Sequence, residues 1–391
     1  MKYISFYVVF LISGLIFAVV IGESVLRFSR GILPESVQLR IHWQEMGRQG
    51  LRSVAHPYIG FLYPPNSEGS FERGDLKFSF HTDRYGFRNK EPWPDRADIV
   101  VIGDSLAFGY GVGDEQSWTA IVQRKLPSIS VINLALIGSG PPQYQRIFET
   151  FGRQLRPQLL IVVLFPDNDF WDAKRFDEWL KAGAQGNYDA FRFLGDDESD
   201  DLASLKRFLK KTYIYALLVE TYRAFKERRF FEGKVVNFGD GSRVQLVESQ
   251  LKRQIILMQK GVPGFDLTLE AVRGIKQTAS EAGVNLLVLL FPSKEAVYLK
   301  DKAKKDIHKP LKVELQREGI DFLDLAPPLQ EHARRGEKTF YEIDGHPNQK
   351  GYEIVADAVV SYIKERQSAR YKGLAVDNSM QANERLLENG R

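Results

Sequence analysis

The sequence predicts a parallel, doubly wound α/β sheet, on three observations. Apolar runs recur at Asp98 to Ile102, Val131 to Leu136, Leu159 to Phe165, Leu286 to Phe291 and Asp321 to Leu325. Runs that are continuous rather than alternating belong to strands buried on both faces. Helical patterns separate them: Leu269, Val272, Ile275 and Ala279 share a face of Leu267 to Ala282, and Gly283 stands where that helix should end. Strand and helix alternate along the chain, which calls for crossover connections and a parallel sheet.

The elements before the first such strand are of another kind. Tyr3 to Gly22 is an uncharged run of 20 residues. At about 1.5 Å per residue it spans a hydrocarbon core. The stretch Ala18-Val19-Val20-Ile21-Gly22-Glu23 has no A-x-A cleavage pattern, so residues 1–22 are expected to be an uncleaved anchor. Lys2 on one side and Arg27, Arg30 and Arg40 on the other leave its orientation almost undecided by charge. Residues 23–95 form a connector and a β-rich lead-in. Within it Lys77 to Thr82 alternates as a strand does, and Arg73-Gly74-Asp75 suits a hairpin turn.

The domain of interest is expected over 96–366. The interval between its third and fourth strands is far longer than a crossover needs, so an insertion is expected at about 172–265. Asp196 to Asp201 reads as a charged loop, and Leu202 to Phe231 as a long basic, aromatic helix. A lid with a solvated basic face accounts for it, as does contact with an anionic membrane surface. Trp118 to Leu126 and a last helix reaching about Arg366, with Val355, Val359 and Ile363 inward, complete the set. Residues 367–391 are polar and read as a flexible tail.

Composition excludes several classes. Of 391 residues, 43% are hydrophobic and 27% charged, an ordinary globular balance. The net charge is 54 − 50 = +4, too small to argue for a nucleic-acid partner. With no cysteine there is neither a disulfide framework nor a thiol nucleophile. Gly103-Asp104-Ser105 lacks the G-x-G-x-x-G of a dinucleotide loop, so no cofactor is expected. No histidine pair has ligand spacing, so no metal is expected.

The chemistry concentrates at strand ends. Ser105 follows the first apolar strand and precedes Gly109-Tyr110-Gly111-Val112-Gly113. Ligands of an open α/β sheet bind there. Position 107 is alanine, so this is not a G-x-S-x-G elbow. Of six histidines, His42, His56, His81, His308, His332 and His346, only the last has supporting chemistry, in Asp344-Gly345-His346-Pro347-Asn348. An aspartate two residues earlier can orient the imidazole. Gly138 and Asn168, after the second and third strands, are candidate donors to an oxyanion together with the Ser105 N–H.

These four blocks resemble the SGNH hydrolase superfamily, also called GDSL-type esterases. Gly103-Asp104-Ser105 resembles block I, Gly138 block II, Asn168 block III, and Asp344 with His346 block V. The resemblance covers about residues 96–365. The anchor and Asp83-Arg84-Tyr85-Gly86-Phe87-Arg88-Asn89 resemble membrane-tethered bacterial members, which often sit among genes for envelope polysaccharide. The resemblance implies a three-layer, flavodoxin-like sandwich with a five-stranded parallel sheet. It implies Ser105 as nucleophile, His346 as base, Asp344 as its orienter, and Ser105, Gly138 and Asn168 as oxyanion hole. Three departures stand out. Block I continues Leu106-Ala107, Asp167 stands where a glycine usually precedes the asparagine, and block V is Asp-x-His rather than Asp-x-x-His.

The expected function is a serine-dependent carboxyl-ester hydrolase or O-acyltransferase on acylated envelope glycans. It would be held by residues 3–22 in the inner membrane with its domain outside the cytoplasm. Tyr110, Trp118, Tyr144, Phe170 and Trp171 are candidates to stack on sugar. A lipid or thioester substrate is the alternative within this chemistry. A catalytically silent glycan-binding assembly protein is the alternative outside it.

Overall fold

The computed structural model describes residues 2–46, 50–73, 75–194, 208–209, 212–226, 233–299 and 306–366. The loop expected at 196–201 and the tail at 367–391 lie outside the described residues, as do parts of the helix expected over 202–231.

The first helix, Lys2–Phe28, continues past the expected anchor end at 22. Its stretch Val9–Phe28 is long and apolar enough to cross a membrane, and none of it is buried in the protein. The helix Glu35–Met46 follows. Strands β1 (Val54–His56) and β2 (Gly60–Leu62) then pair antiparallel. Strands β3 (Glu68–Arg73) and β4 (Leu76–His81) form the lead-in hairpin. Leu76, Phe78 and Phe80 are buried and the alternate residues exposed, as the period of two demands.

The central sheet begins with β5 (Ile99–Ile102) and β6 (Val131–Asn133), followed by β7 (Leu159–Leu164). An antiparallel hairpin, β8 (Gly233–Asn237) and β9 (Arg243–Val247), lies in the interval before β10 (Asn285–Leu290) and β11 (Asp321–Asp324). The five central strands are parallel, in the order β11-β10-β7-β5-β6. Counting central strands alone, that order is 2-1-3-4-5, the flavodoxin-like arrangement.

Right-handed crossovers fix the outer layers. They put Trp118–Lys125 on one face and Pro141–Ile147, Pro263–Glu281 and Lys309–Arg317 on the other. The contacts agree. Pro263–Glu281 packs on Pro141–Ile147 and on Asn168–Lys181. Lys125 pairs with Asp357 of the last helix, 349–366. Inward faces follow the periodicity: Leu269, Val272, Ile275 and Ala279 are buried, as are Val355, Val359 and Ile363. Gly283 closes its helix in the left-handed region at φ +68°.

The interval between β7 and β10 holds Asn168–Lys181, Tyr188–Leu194, Tyr213–Lys226, the β8–β9 hairpin, and Glu248–Leu257 before the crossover helix. The switch point between β5 and β7, where the strand order reverses, is where Ser105 emerges.

Candidate active site

The serine side is built from a tight strand-to-helix turn. A Cβ at Gly103 would lie 2.7 Å from Ala107 Cβ and 2.9 Å from Val163 Cβ, so only glycine fits that approach. Asp104 caps the following short helix, Ser105–Phe108, by accepting the Leu106 N–H at 2.9 Å. Ser105 is thus the first helical residue, and among the described residues its N–H makes no hydrogen bond. Asn133 Nδ2 donates to Ala107 O (2.9 Å) and Trp118 Nε1 to Leu106 O (3.0 Å), which pins the helix from the β6 end and from the next helix.

The lead-in motif braces this turn. Buried Arg88 donates to Phe108 O, Gly109 O and Val112 O at 3.1, 2.9 and 2.7 Å, and pairs with Asp114 at 2.7 Å. One side chain therefore holds the whole glycine loop. Asn89 exchanges two hydrogen bonds with the Asn133 backbone. Asp83 gathers Asn89, Trp93 and the N–H groups of Tyr85 and Phe87. Phe80 packs edge-on to Phe108, and Phe71 and Phe78 to Tyr110, with centroids about 5 Å apart.

The histidine side is a loop between β11's following helix, Ala326–Arg334, and the last helix. Asp344 Oδ1 accepts the His346 backbone N–H at 2.8 Å and lies 2.6 Å from His346 Nδ1. A carboxylate only accepts, so Nδ1 carries the proton and Nε2 presents a lone pair. His346 Nε2 lies 2.7 Å from Ser105 Oγ. The Ser105 hydroxyl is 3.5 Å from Asp104 Oδ2, too far to compete. Tyr110 tilts against the imidazole at 4.4 Å. Buried Lys294 donates to Ile343 O at 2.6 Å. Strand β9 flanks the loop through Gln245 N–H to Glu342 O at 2.8 Å.

Burial alone would raise the Asp344 carboxyl. The electrostatic pull of the His346 ring and the hydrogen bonds from His346 and His42 outweigh it and hold the group far below the usual carboxylate range. The structure therefore brings Ser105, His346 and Asp344 into one hydrogen-bonded row, from two separate parts of the fold.

The expected three-donor oxyanion pocket is not assembled. Asn168 Nδ2 donates to Asp104 Oδ2 at 3.0 Å and to Asp172 Oδ2 at 3.1 Å, which occupies both of its protons. Its Oδ1 is buried and has no partner among the described residues. The two carboxyl acceptors fix the amide this way round. The competing acceptor, Asp172, lies one helical turn beyond Asn168. Gly138 has φ +78°, the left-handed region, and its carbonyl accepts from Arg192 of the helix Tyr188–Leu194. Its N–H makes no hydrogen bond among the described residues. Two backbone donors are thus open, while the side-chain donor is diverted.

Beneath them lie three buried carboxyls. Burial raises Asp104, raises Asp169 strongly, and pushes Asp172 up to about 7. Tyr144 donates to Asp169 at 2.6 Å, and Arg192 lies 3.6 Å from Asp172. Asp167, the departure beside block III, is paired with Arg253 at 2.6 Å. Its charge is met by a guanidinium. Of the five aromatics expected at the rim, Tyr110, Trp118, Tyr144 and Phe170 are buried core and only Trp171 is exposed, at 47%. Tyr144 and Trp118 are held inward by their polar atoms, through Asp169 and Leu106 O. Among the described residues no cluster fit for a metal occurs.

Sequence reasoning missed His42, Arg192 and Lys294, and gave Arg88 no role of its own. His42 Nε2 lies 2.6 Å from Asp344 Oδ2 across 302 residues. The available signal was weak: Gln38 and His42 stand at i, i+4 beside Val37 and Ile41 on a connector helix.

Residues 253–385 match the family described as SGNH hydrolase-like domain, acetyltransferase AlgX. That stretch includes Asp344 and His346 but not Ser105. Among solved structures, the chain is similar to a lipolytic protein of the G-D-S-L family from Veillonella parvula, at 13% identity and TM-score 0.36, over 67% of this chain and 96% of that one. It is similar to TesA at 12% identity and TM-score 0.37, over 68% and 98%. It is similar to a catalytic mutant of Axe2, an acetylxylan esterase from Geobacillus stearothermophilus, at 11% identity and TM-score 0.36, over 68% and 93%. No curated protein matches the chain. Residues 253–385 are thus similar to an SGNH hydrolase-like domain, and the central sheet has the flavodoxin-like order.

Proposed function

We propose that this chain is a serine-dependent O-acyltransferase or carboxyl-ester hydrolase acting on acylated envelope glycans. The observation that carries the proposal is the row Ser105 Oγ, His346 Nε2 at 2.7 Å, and His346 Nδ1 to Asp344 at 2.6 Å. In it, Ser105 Oγ attacks an ester carbonyl while His346 Nε2 takes the hydroxyl proton. The N–H groups of Ser105 and Gly138 face the developing oxyanion. The tetrahedral adduct expels the alcohol, which takes the proton from His346, and an acyl ester remains on Ser105. A water or a sugar hydroxyl then gives its proton to His346 and attacks that ester, releasing an acid or a new ester with Ser105 restored.

Acyl transfer is supported by the description of the matching family, which names an acetyltransferase. It is also supported by burial. Ser105 and His346 are only 8% and 7% exposed, and a nucleophile kept from bulk water lets a sugar hydroxyl compete. Trp171, three residues beyond Asn168 on the same helix, offers an exposed face on which a sugar can stack. The N-terminal helix supports a membrane tether, which in this reading sits in the inner membrane with the domain outside the cytoplasm. The helix Tyr213–Lys226 starts on its base, where Glu23 accepts the Tyr213 and Ile214 N–H groups at 3.0 and 3.1 Å. That helix leaves Leu218, Tyr222 and Phe225 exposed beside the anchor, which suits a membrane-proximal seat and also the alternative of a lipid substrate.

A second reading, a silent glycan-binding envelope protein, is favoured by the diverted Asn168 amide. Incubation with an activated acetyl ester, followed by intact mass, tests the choice. A stable or turning-over acetyl adduct that maps to Ser105, and transfer of the acetyl group to added oligosaccharide, are expected. Absence of any adduct in folded protein contradicts the enzyme reading and leaves the binding one.

A further inference from the structure

The mechanism above does not use His42, yet its side chain touches the site. His42 and Asp344 are 2% and 1% exposed, and 2.6 Å separates His42 Nε2 from Asp344 Oδ2. A carboxylate has no proton to give, so the imidazole N–H is the donor. The other oxygen, Oδ1, accepts both the backbone N–H and Nδ1 of His346. The two histidines divide the carboxylate between them, one on each oxygen.

The helix that carries His42 is firmly seated. Val37 and Ile41 are fully buried against Tyr213 and Ala216, with Leu26, Leu33 and Leu217 closing the cluster. Arg40 pairs with Glu220 at 2.6 Å, and Gln38 Nε2 donates to Leu33 O at 2.7 Å. The base of the anchor helix, the helix Glu35–Met46 and the insertion helix Tyr213–Lys226 thus form one collar. One edge of that collar, at His42, reaches Asp344.

We propose that His42 is a positioning residue of this site: by donating to Asp344 Oδ2 it fixes the carboxylate so that Oδ1 faces His346, and it ties the geometry of the base to the membrane-proximal collar. The proposal rests on the reading of Ser105, His346 and Asp344 as a catalytic row. Without the second donor, Oδ2 would be a buried carboxylate oxygen with its partner gone. The carboxylate would then turn or take up a proton, and either change loosens the imidazole that must face Ser105. His42 acts through Asp344, so its loss is felt in the chemical step rather than in substrate binding.

The test uses the full chain in detergent, with His42→Leu, which removes the donor at similar volume, and His42→Gln, whose Nε2 can donate from a similar position. Turnover of an activated acetyl ester is measured beside the downfield imidazole N–H proton resonances. His42→Leu is expected to lower kcat about 10-fold, with KM within about two-fold, and His42→Gln to return to within about three-fold of wild type. The resonance of the His346 Nδ1–H should move in His42→Leu and return in His42→Gln. Wild-type kcat and an unmoved resonance in His42→Leu overturn the proposal. So does an equal loss in both variants that follows the folded fraction, because that is a packing role. If wild type neither turns over ester nor forms an adduct at Ser105, the enzyme reading fails on its own. The resonance then decides the His42 contact: movement supports it, and no movement overturns it.

Discussion

The serine side and the histidine side of the site are held in different ways. Ser105 sits in a turn fixed by contacts close in sequence: the Asp104 cap, Asn133 to Ala107, Trp118 to Leu106, and the Arg88 fork over the glycine loop. All of these residues lie between 83 and 133, and the contacts are many. His346 sits in a loop whose orienting group is one buried, ionised carboxylate shared with His42, beside Lys294 on Ile343 O. Those partners come from far along the chain and are few. Damage to the serine side should therefore appear first as lost stability, and damage to the histidine side first as lost chemistry.

Asp344→Asn is the sharpest way to break the histidine side. An amide cannot accept from both histidines as the carboxylate does, and it favours the wrong imidazole tautomer. A fall in kcat of about 10³-fold or more is expected, with much of the thermal stability kept. Steady-state kinetics beside calorimetry reads both quantities, and a small kinetic effect with a large stability loss would reverse the comparison.

Arg88→Ala probes the other side. It leaves three loop carbonyls and Asp114 without their shared donor, so an unfolding free-energy loss of about 3 kcal/mol or more is expected in urea titration. The fraction that stays folded should keep most of its kcat. If folded Arg88→Ala protein were as inactive as Asp344→Asn, the two sides would not differ as described.

Gly138→Ala lies between the two. A side chain there strains a backbone at φ +78° and meets the Arg192 guanidinium. A stability loss of about 1–2 kcal/mol is expected, together with lower activity, because the Gly138 N–H is one of the two open donors. A crystal structure of the variant with an undisplaced Arg192 would contradict this.

A pH series on Asp172→Asn sharpens the picture of the floor beneath the serine. Burial holds the Asp172 carboxyl up to about 7, against 3.8 for the ordinary group. The folded protein keeps a proton that the unfolded chain gives up. The stability from this group is full below about pH 4, is lost as pH rises, and is gone above about pH 7. Asparagine is neutral throughout, so the Tm difference, variant minus wild type, should grow from pH 4 to pH 7 and then level off. A difference that stays flat would show that Asp172 is ionised throughout. The smallest effect on stability is expected from Trp171→Ala, within about 0.5 kcal/mol at an exposed site. A rise in KM for acetylated oligosaccharide but not for a small ester is the accompanying expectation.

Much of this was legible in the sequence because it is local. The inner strands β5, β7 and β10 are largely continuous apolar runs, and the Gly103-Asp104-Ser105 and Asp344-x-His346 signatures each sit within a few residues of a recognisable element. The parts that were not legible depend on partners met only in three dimensions. His42 gains meaning from a carboxylate 302 residues away. Asn168 looked like a free amide until Asp104 and Asp172 claimed its protons, although Asp172 at i+4 was a visible warning. The rim aromatics were misplaced because residue type does not tell a stacking surface from a core. Tyr144 and Trp118 point inward where a polar partner waits for each.

In the proposed reaction everything depends on His346 activating Ser105 as a nucleophile. Fluorophosphonate labelling of the full chain, wild type beside Ser105→Ala, tests it most directly. Labelling of wild type should reach one probe per chain and vanish in Ser105→Ala. Folded wild-type protein that takes up no probe, or a Ser105→Ala variant that still labels, would contradict it.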